Sequence, residues 1–105
     1  MSASPVANPV RGEAELVIAG EPRLLRPTFA ALVAAEQELG SLFALVERAS
    51  NGGLRLDEIV ALFWHCLAER DTISREAVGQ ALVKQGLARC ALPLSVLLRQ
   101  ILQGA

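Results

Sequence analysis

Turn-forming and helix-capping residues recur so often along the 105-residue chain that they leave room only for short elements. Gly40, the pair Gly52-Gly53 and Gly86 each end an apolar segment, and Pro93 stands close to the start of the last one. Glycine tolerates a positive φ, whereas proline fixes φ and lacks an N–H, so both punctuate secondary structure. The sequence therefore predicts several short helices with tight corners, and it shows no heptad run or internal repeat.

The segment 13–26 has a different pattern, in which apolar and β-branched residues surround a turn. Leu16, Val17 and Ile18 precede Gly20, and Leu24 follows it. This arrangement is typical of two short strands joined by a tight turn. Because two strands alone are marginally stable in water, we expect the hairpin to pack on the helices that follow.

Capping residues bound the helices expected in the region 28–103. Thr28, Ser41 and Ser74 are suitable N-caps, while Gly40 and Gly86 are suitable C-terminal caps. The predicted helices cover about 29–39, 42–49, 56–69, 75–85 and 93–103. Residues 87–92 are expected to be a linker, with Pro93 in the first turn of the last helix, where its missing N–H does no harm.

These patterns predict a mainly α protein of the α+β class, with a short N-terminal β-hairpin packed on a compact bundle of four to five short helices. Residues 1–12, which are rich in Ser, Ala, Pro and Asn, are expected to form a flexible tail. Residues 13–105 are expected to form a single domain, since a chain of this length has room for one folding unit. The 52% hydrophobic content exceeds what a small core readily buries, which favours exposed apolar surface.

Charge and motifs argue against catalysis and against nucleic-acid binding. Ten basic and eleven acidic residues leave a net charge of −1, which creates no field that attracts phosphate. His65 is the only histidine, and Cys66 and Cys90 lack the spacing of metal or redox motifs. We therefore expect a non-enzymatic protein with no cofactor and no metal. With neither a secretory leader nor a membrane span evident, a cytoplasmic location is expected.

Four residues are candidate partner-binding residues: three depart from a simple amphipathic pattern, and the fourth, Leu98, lies on an aliphatic last helix that could bind another chain. Glu36 interrupts the apolar stripe of the first helix, on which Phe29, Leu32 and Val33 are predicted to face inward. Its alternative role is a salt bridge to a nearby arginine, such as Arg26 or Arg48, at the rim of the core. The other three candidates are Phe43, Trp64 and Leu98. Each of those three has packing within the bundle as its alternative role.

Four segments, in this order and spacing, resemble the gene transfer agent family of small phage-derived tail proteins. They are RLLRPTFAAL from Arg23, EQELGSL from Glu36, LRLDEIV from Leu54 and EAVGQALVKQGL from Glu76. The resemblance covers about Arg11 to Leu102. Arg55 departs from the pattern, because the family often has a serine or threonine there as a helix cap.

The resemblance implies a bacterial tail assembly factor, since the family is grouped with phage tail assembly chaperones, although its members are also called tail tube proteins. A chaperone would bind the tape-measure protein or another tail protein through apolar helix surfaces, with no nucleic acid or membrane involved. Its contacts would include Glu36, Phe43, Trp64 and Leu98. The alternative is a structural, tube-associated tail subunit. The resemblance leaves self-association open, and it implies that the protein associates with assembling tails. The sparse strand content of the sequence argues against a structural tube subunit. A small helical DNA-binding regulator ranks lower still, because the basic residues of this chain are scattered.

Overall fold

The computed structural model describes residues 13–103, which form two strands, five α-helices and a short 3₁₀ turn. The elements are β1 (Ala14–Ile18), β2 (Glu21–Leu25), α1 (Phe29–Leu39), α2 (Leu42–Ser50), α3 (Leu56–Cys66), the 3₁₀ turn (Arg70–Thr72), α4 (Arg75–Gln85) and α5 (Leu87–Gln103). This confirms the predicted fold class, a hairpin followed by five helices. The tail expected at residues 1–12 lies outside the described residues.

The β-hairpin is tight because its turn contains two residues with positive φ. Ala19 has φ 53° and Gly20 has φ 82°, the combination whose twist suits two antiparallel strands joined by a two-residue turn. All five residues of β1 pair with β2. Alternate residues of β1 are buried, namely Ala14, Leu16 and Ile18. The hairpin packs on α4 and α5 through this apolar face.

Both outer edges of the hairpin already carry hydrogen bonds within the chain. On the β2 side, the C=O of Leu24 and the N–H of Arg26, the residue after β2, bond to the segment 66–68 at 3.0 and 2.6 Å. On β1, the side-chain amide of Gln85 donates to the C=O of Val17. Because an exposed strand edge is a template for pairing with other chains, these bonds reduce the tendency of the sheet to extend.

The predicted caps of α1, α2 and α4 are confirmed. The hydroxyls of Thr28, Ser41 and Ser74 each accept a hydrogen bond, of 3.1 to 3.2 Å, from the backbone N–H three residues ahead. Each cap satisfies one of the N–H groups that the first turn of a helix leaves without a partner. Gly40 and Gly86, with φ 83° and 87°, end α1 and α4 as expected.

Helix α3 ends at Cys66, about one turn earlier than predicted. The chain becomes extended at Leu67, which forms an antiparallel bridge with Leu25 of β2. The backbone groups of 66–68 therefore bond to the sheet, and they are not available for another turn of helix. The sequence pattern could not show this competition, because the bonding partner lies about forty residues away along the chain.

Helix α5 begins at Leu87, so the expectation of a linker at 87–92 is wrong, and Pro93 lies inside the helix. Gly86, with its positive φ, changes the chain direction directly between α4 and α5. Cys90 and Leu97 are both buried, and their separation of seven residues puts them on one side of a helix. Burial of this side explains why the helix extends N-terminal to the proline.

Replacing Pro93 with alanine should increase the free energy of unfolding by about 1–2 kcal/mol. An interior proline costs ~3 kcal/mol relative to alanine, because it lacks the N–H that would bond to the C=O of Arg89. Some of this gain is offset by greater freedom of the unfolded chain. Chemical denaturation of the two proteins measures the difference. A neutral or destabilising effect would instead support a helix that starts at Pro93.

One cluster of buried side chains joins the hairpin to all five helices. Its largest fully buried members are Phe63, Leu25, Leu45, Leu62, Leu82 and Leu97. Phe63 and Leu62 lie in α3, which packs between α1 and α4. Helix α3 is therefore covered by other helices of the same chain.

Helix α1 is oriented differently from the prediction. Ala31 and Ala35 are buried, whereas Phe29 is 85% exposed and Val33 is 37% exposed. Small alanines let α1 lie close against α3, which favours this side over the one with the larger residues. The predicted inward stripe through Phe29 and Val33 is therefore wrong, and Glu36 lies on the exposed side of the helix.

Candidate protein-contact surfaces

Glu36 lies at the corner between α1 and α2. Its Oε2 accepts a hydrogen bond from the backbone N–H of Leu42 at 3.2 Å, so it satisfies a group in the first turn of α2. Its hydrogen bond therefore goes to the backbone, not to an arginine as the sequence alternative suggested. The side chain remains exposed, on the same side of α1 as Phe29 and Val33.

Phe43 follows directly in the first turn of α2 and is 64% exposed. The bond from Leu42 to Glu36 brings this turn next to the outward side of α1. We call the set Phe29, Val33, Glu36 and Phe43 the α1–α2 face. It combines two exposed aromatic rings with a carboxylate, a composition suited to contact with another protein.

Leu98 lies half-buried at a groove between α2 and α5, which we call the α2–α5 groove. The groove has a volume of about 300 Å³. It is lined by Val46, Ala49, Ser50, Ser95, Leu98, Arg99, Leu102 and Gln103. Half of these residues are aliphatic, and Arg99 is the one charged residue among them, so the groove suits an apolar side chain accompanied by an acidic group.

Trp64, another residue predicted to contact partners, makes its polar contacts within the chain. Its indole Nε1–H donates to the C=O of Ile73 at 2.8 Å. The guanidinium carbon of Arg75 lies 4.6 Å from the ring centroid, and that of Arg70 lies 5.7 Å away. Both the ring face and the N–H of the half-buried Trp64 are therefore engaged within the chain, and Trp64 belongs to neither of the two surfaces described above.

A charged cluster that the sequence analysis missed joins α1, α3 and α4. The carboxylate of Glu38 accepts two hydrogen bonds of 2.6 Å from Arg75, and its Oε1 lies 2.8 Å from Nε2 of His65. His65 is buried, and its Nδ1 has no hydrogen-bond partner within the described region. The bidentate geometry and this burial indicate that the cluster fixes the three helices relative to one another.

The arginine and histidine bonds hold the pKa of Glu38 at about 2, below its ordinary value of 4.5. A carboxylate with a lowered folded-state pKa stabilises the fold above its unfolded-state pKa, and this contribution is lost as the pH falls. For Glu38 the loss falls between pH 4.5 and about 2. Because the side chain is 38% exposed, solvent screening limits the contribution to about 1–2 kcal/mol.

Denaturation between pH 6 and pH 2 should therefore show a steeper loss of stability for the wild type than for Glu38→Gln. Glu58 has a pKa lowered to about 2 by its bonds with Arg48, so it titrates over the same range in both proteins. The difference between the two pH profiles isolates Glu38. Parallel profiles would show that the cluster contributes nothing to acid stability.

Other chemistry in the described part of the chain is sparse. Burial raises the pKa of the Cys66 thiol to about 12 and also raises that of Cys90, so both thiols are protonated at neutral pH. Between residues 13 and 103, no group of three His, Cys, Asp or Glu residues is arranged to hold a metal ion.

Within the same residues, no single helix is long and apolar enough to cross a membrane. Helices α1 and α2 together reach the required length and composition, but they are bent by 76° at their junction.

The fold and its surfaces define a small helical protein with a β-hairpin and exposed apolar faces. A family model described as "Phage tail tube protein, GTA-gp10" matches residues 11–104. The chain belongs to this family of phage tail proteins. Neither the curated proteins nor the solved structures contain a match to it.

The family match confirms the predicted relation to gene transfer agent and phage tail proteins. Its description agrees with the structural tail subunit, which the sequence analysis ranked second, better than with the assembly chaperone ranked first. That ranking relied on the small number of strands. Strand content is a weak guide here because exposed helical surfaces can also support assembly.

Proposed function

We propose that this protein is a structural, non-enzymatic subunit of a phage-type tail, associated with the tail tube and acting through contacts with other tail proteins. The observation that carries the proposal is the family match over nearly the whole chain. The exposed aromatic residues Phe29 and Phe43 support it, because burying such side chains against another protein is the main source of favourable association energy.

The fold favours assembly through helices over assembly by sheet extension. Both hairpin edges carry hydrogen bonds within the chain, at Leu24 and Arg26 on one side and at Val17 on the other. The α1–α2 face and the α2–α5 groove, in contrast, present apolar side chains outward. We therefore expect contacts with other tail proteins to involve these helical surfaces.

Quantitative mass spectrometry of purified tail particles from the same genetic locus tests the proposal. A structural subunit should be present in finished particles in multiple copies, at a fixed ratio to the major tail proteins. Particles that lack the protein, while the cell lysate contains it, would contradict the structural role. A deletion strain with normal particles would contradict any necessary role in the tail.

The second candidate function is that of an assembly chaperone for the tape-measure protein, acting in the cytoplasm. The α2–α5 groove favours it, because a groove of about 300 Å³ with Leu98 at its wall can accept an apolar side chain from a helical segment. Co-expression with the tape-measure protein of the same locus tests this function. Rescue of tape-measure solubility, together with absence from finished particles, would replace the structural proposal with the chaperone.

A further inference from the structure

Helices α1 and α5 carry charges of opposite sign. The charged residues of α1 are both acidic, Glu36 and Glu38, and those of α5 are both basic, Arg89 and Arg99. Glu38 is engaged by Arg75 within the chain. Glu36 remains exposed, with one carboxylate oxygen bonded to a backbone N–H, and Arg99 has no ion-pair partner among residues 13–103.

Each of these two charges is accompanied by exposed apolar side chains. Phe29 and Val33 precede Glu36 by seven and three residues, which puts all three on one side of α1. Leu92 and Leu102 are 73% and 52% exposed, and they lie seven residues before and three residues after Arg99. This spacing also corresponds to one side of a helix. Each surface therefore combines an apolar strip with one charge.

The apolar strip on α1 and the groove beside α5 are formed by different residues. Helix α1 packs mainly on α3, whereas α5 packs on β1, α2 and α4. The α2–α5 groove, at whose wall Arg99 lies, is lined by residues of α2 and α5 and by none of α1. The strip on α1 is therefore a separate surface, available to the groove of another copy.

We infer that the α1–α2 face of one copy binds the α2–α5 groove of a second copy of this chain. Phe29 and Val33 enter the groove, and Glu36 pairs with Arg99. Complementary charge selects this occupant, because the acidic, aromatic face matches a basic, aliphatic groove. The inference rests on the proposed function, because it names the contact by which copies of a structural tail subunit bind one another. Two different surfaces in contact generate rings or filaments, or a two-fold dimer where the contact is made twice.

Charge reversal tests the inference on the purified chain. Sedimentation velocity over a range of concentrations should show self-association of the wild type, and both Glu36→Arg and Arg99→Glu should weaken it roughly tenfold or more, because each places like charges together. The double variant should associate like the wild type. An equimolar mixture of the two single variants should also associate, because each supplies the charge that the other lacks.

Two further variants control for effects on folding and on net charge. Arg89→Glu makes the same charge change on α5 outside the groove lining, so it should leave self-association unchanged. Phe29→Ala should weaken association while leaving the circular dichroism spectrum and thermal stability intact, because the side chain is 85% exposed. This variant matters because Glu36→Arg also removes the bond to the Leu42 N–H.

A wild type that stays monomeric over the whole concentration range would overturn the inference. So would a double variant that fails to regain association although it is folded. Presence in finished tail particles is measured separately. A monomeric protein that is found in particles would contradict this contact alone, whereas self-association without any presence in particles would contradict the proposed function.

Discussion

Replacing Trp64 with alanine should lower the free energy of unfolding by about 3 kcal/mol, near the lower end of the range for removing a packed aromatic side chain. The half-buried indole packs against the core, donates to the C=O of Ile73 and lies under the guanidinium of Arg75. All three interactions are lost together. Urea denaturation followed by circular dichroism measures the change.

Trp64→Phe separates the contribution of the hydrogen bond from the contributions of packing and of the contact with Arg75. It retains an aromatic ring that can pack and face the arginine, and it removes the indole N–H. We expect a loss of about 1–2 kcal/mol, the range for a hydrogen bond whose acceptor loses its partner. If Trp64→Ala instead retained full stability but lost binding to tail proteins, the sequence-based role of Trp64 as a contact residue would be supported.

The second large effect is expected at Leu97, on the buried side of α5. Leu97→Ala should cost about 2–5 kcal/mol, because the side chain is fully buried and its removal leaves a cavity. Leu102→Ala, on the same helix, is the matched control. Its side chain is 52% exposed, so the cost should stay within about 0.5 kcal/mol. Thermal and urea denaturation of both variants measure these effects.

Leu97→Ala and Leu102→Ala also distinguish an effect on folding from an effect on self-association. Leu102 lines the α2–α5 groove, so Leu102→Ala should weaken self-association at unchanged stability. Comparable destabilisation by both variants would show that Leu102 belongs to the core and would contradict its role as an exposed apolar residue of the groove.

Much of the fold could be predicted because its signals are local. The hydroxyls of Thr28, Ser41 and Ser74 bond to N–H groups only three residues ahead, and Gly40 and Gly86 end helices through their own φ angles. Such signals depend on a few consecutive residues. The sequence therefore shows most helix starts and the existence of the hairpin, although not the start of α5.

The candidate surfaces were only partly predictable. Phe43 is a candidate because it deviates from an apolar stripe, and Leu98 is one because it lies on an aliphatic final helix that could bind another chain. The structure places Phe43 on an exposed face and Leu98 at a groove. The prediction for α1 failed, since Phe29 was expected inside. The sequence does not indicate Arg99 as a contact residue, because its place at a groove depends on how α2 packs beside α5.

The sequence by itself determined where the chain turns, where most helices begin, and that apolar residues exceed what a small core can bury. The tertiary structure alone decided which side of α1 is buried. It also decided that α3 ends where Leu67 pairs with β2, and that α5 continues through Pro93. It also brought Glu38, His65 and Arg75 together. These outcomes depend on contacts between residues far apart in the chain, whose energies exceed the local preferences that a sequence pattern reports.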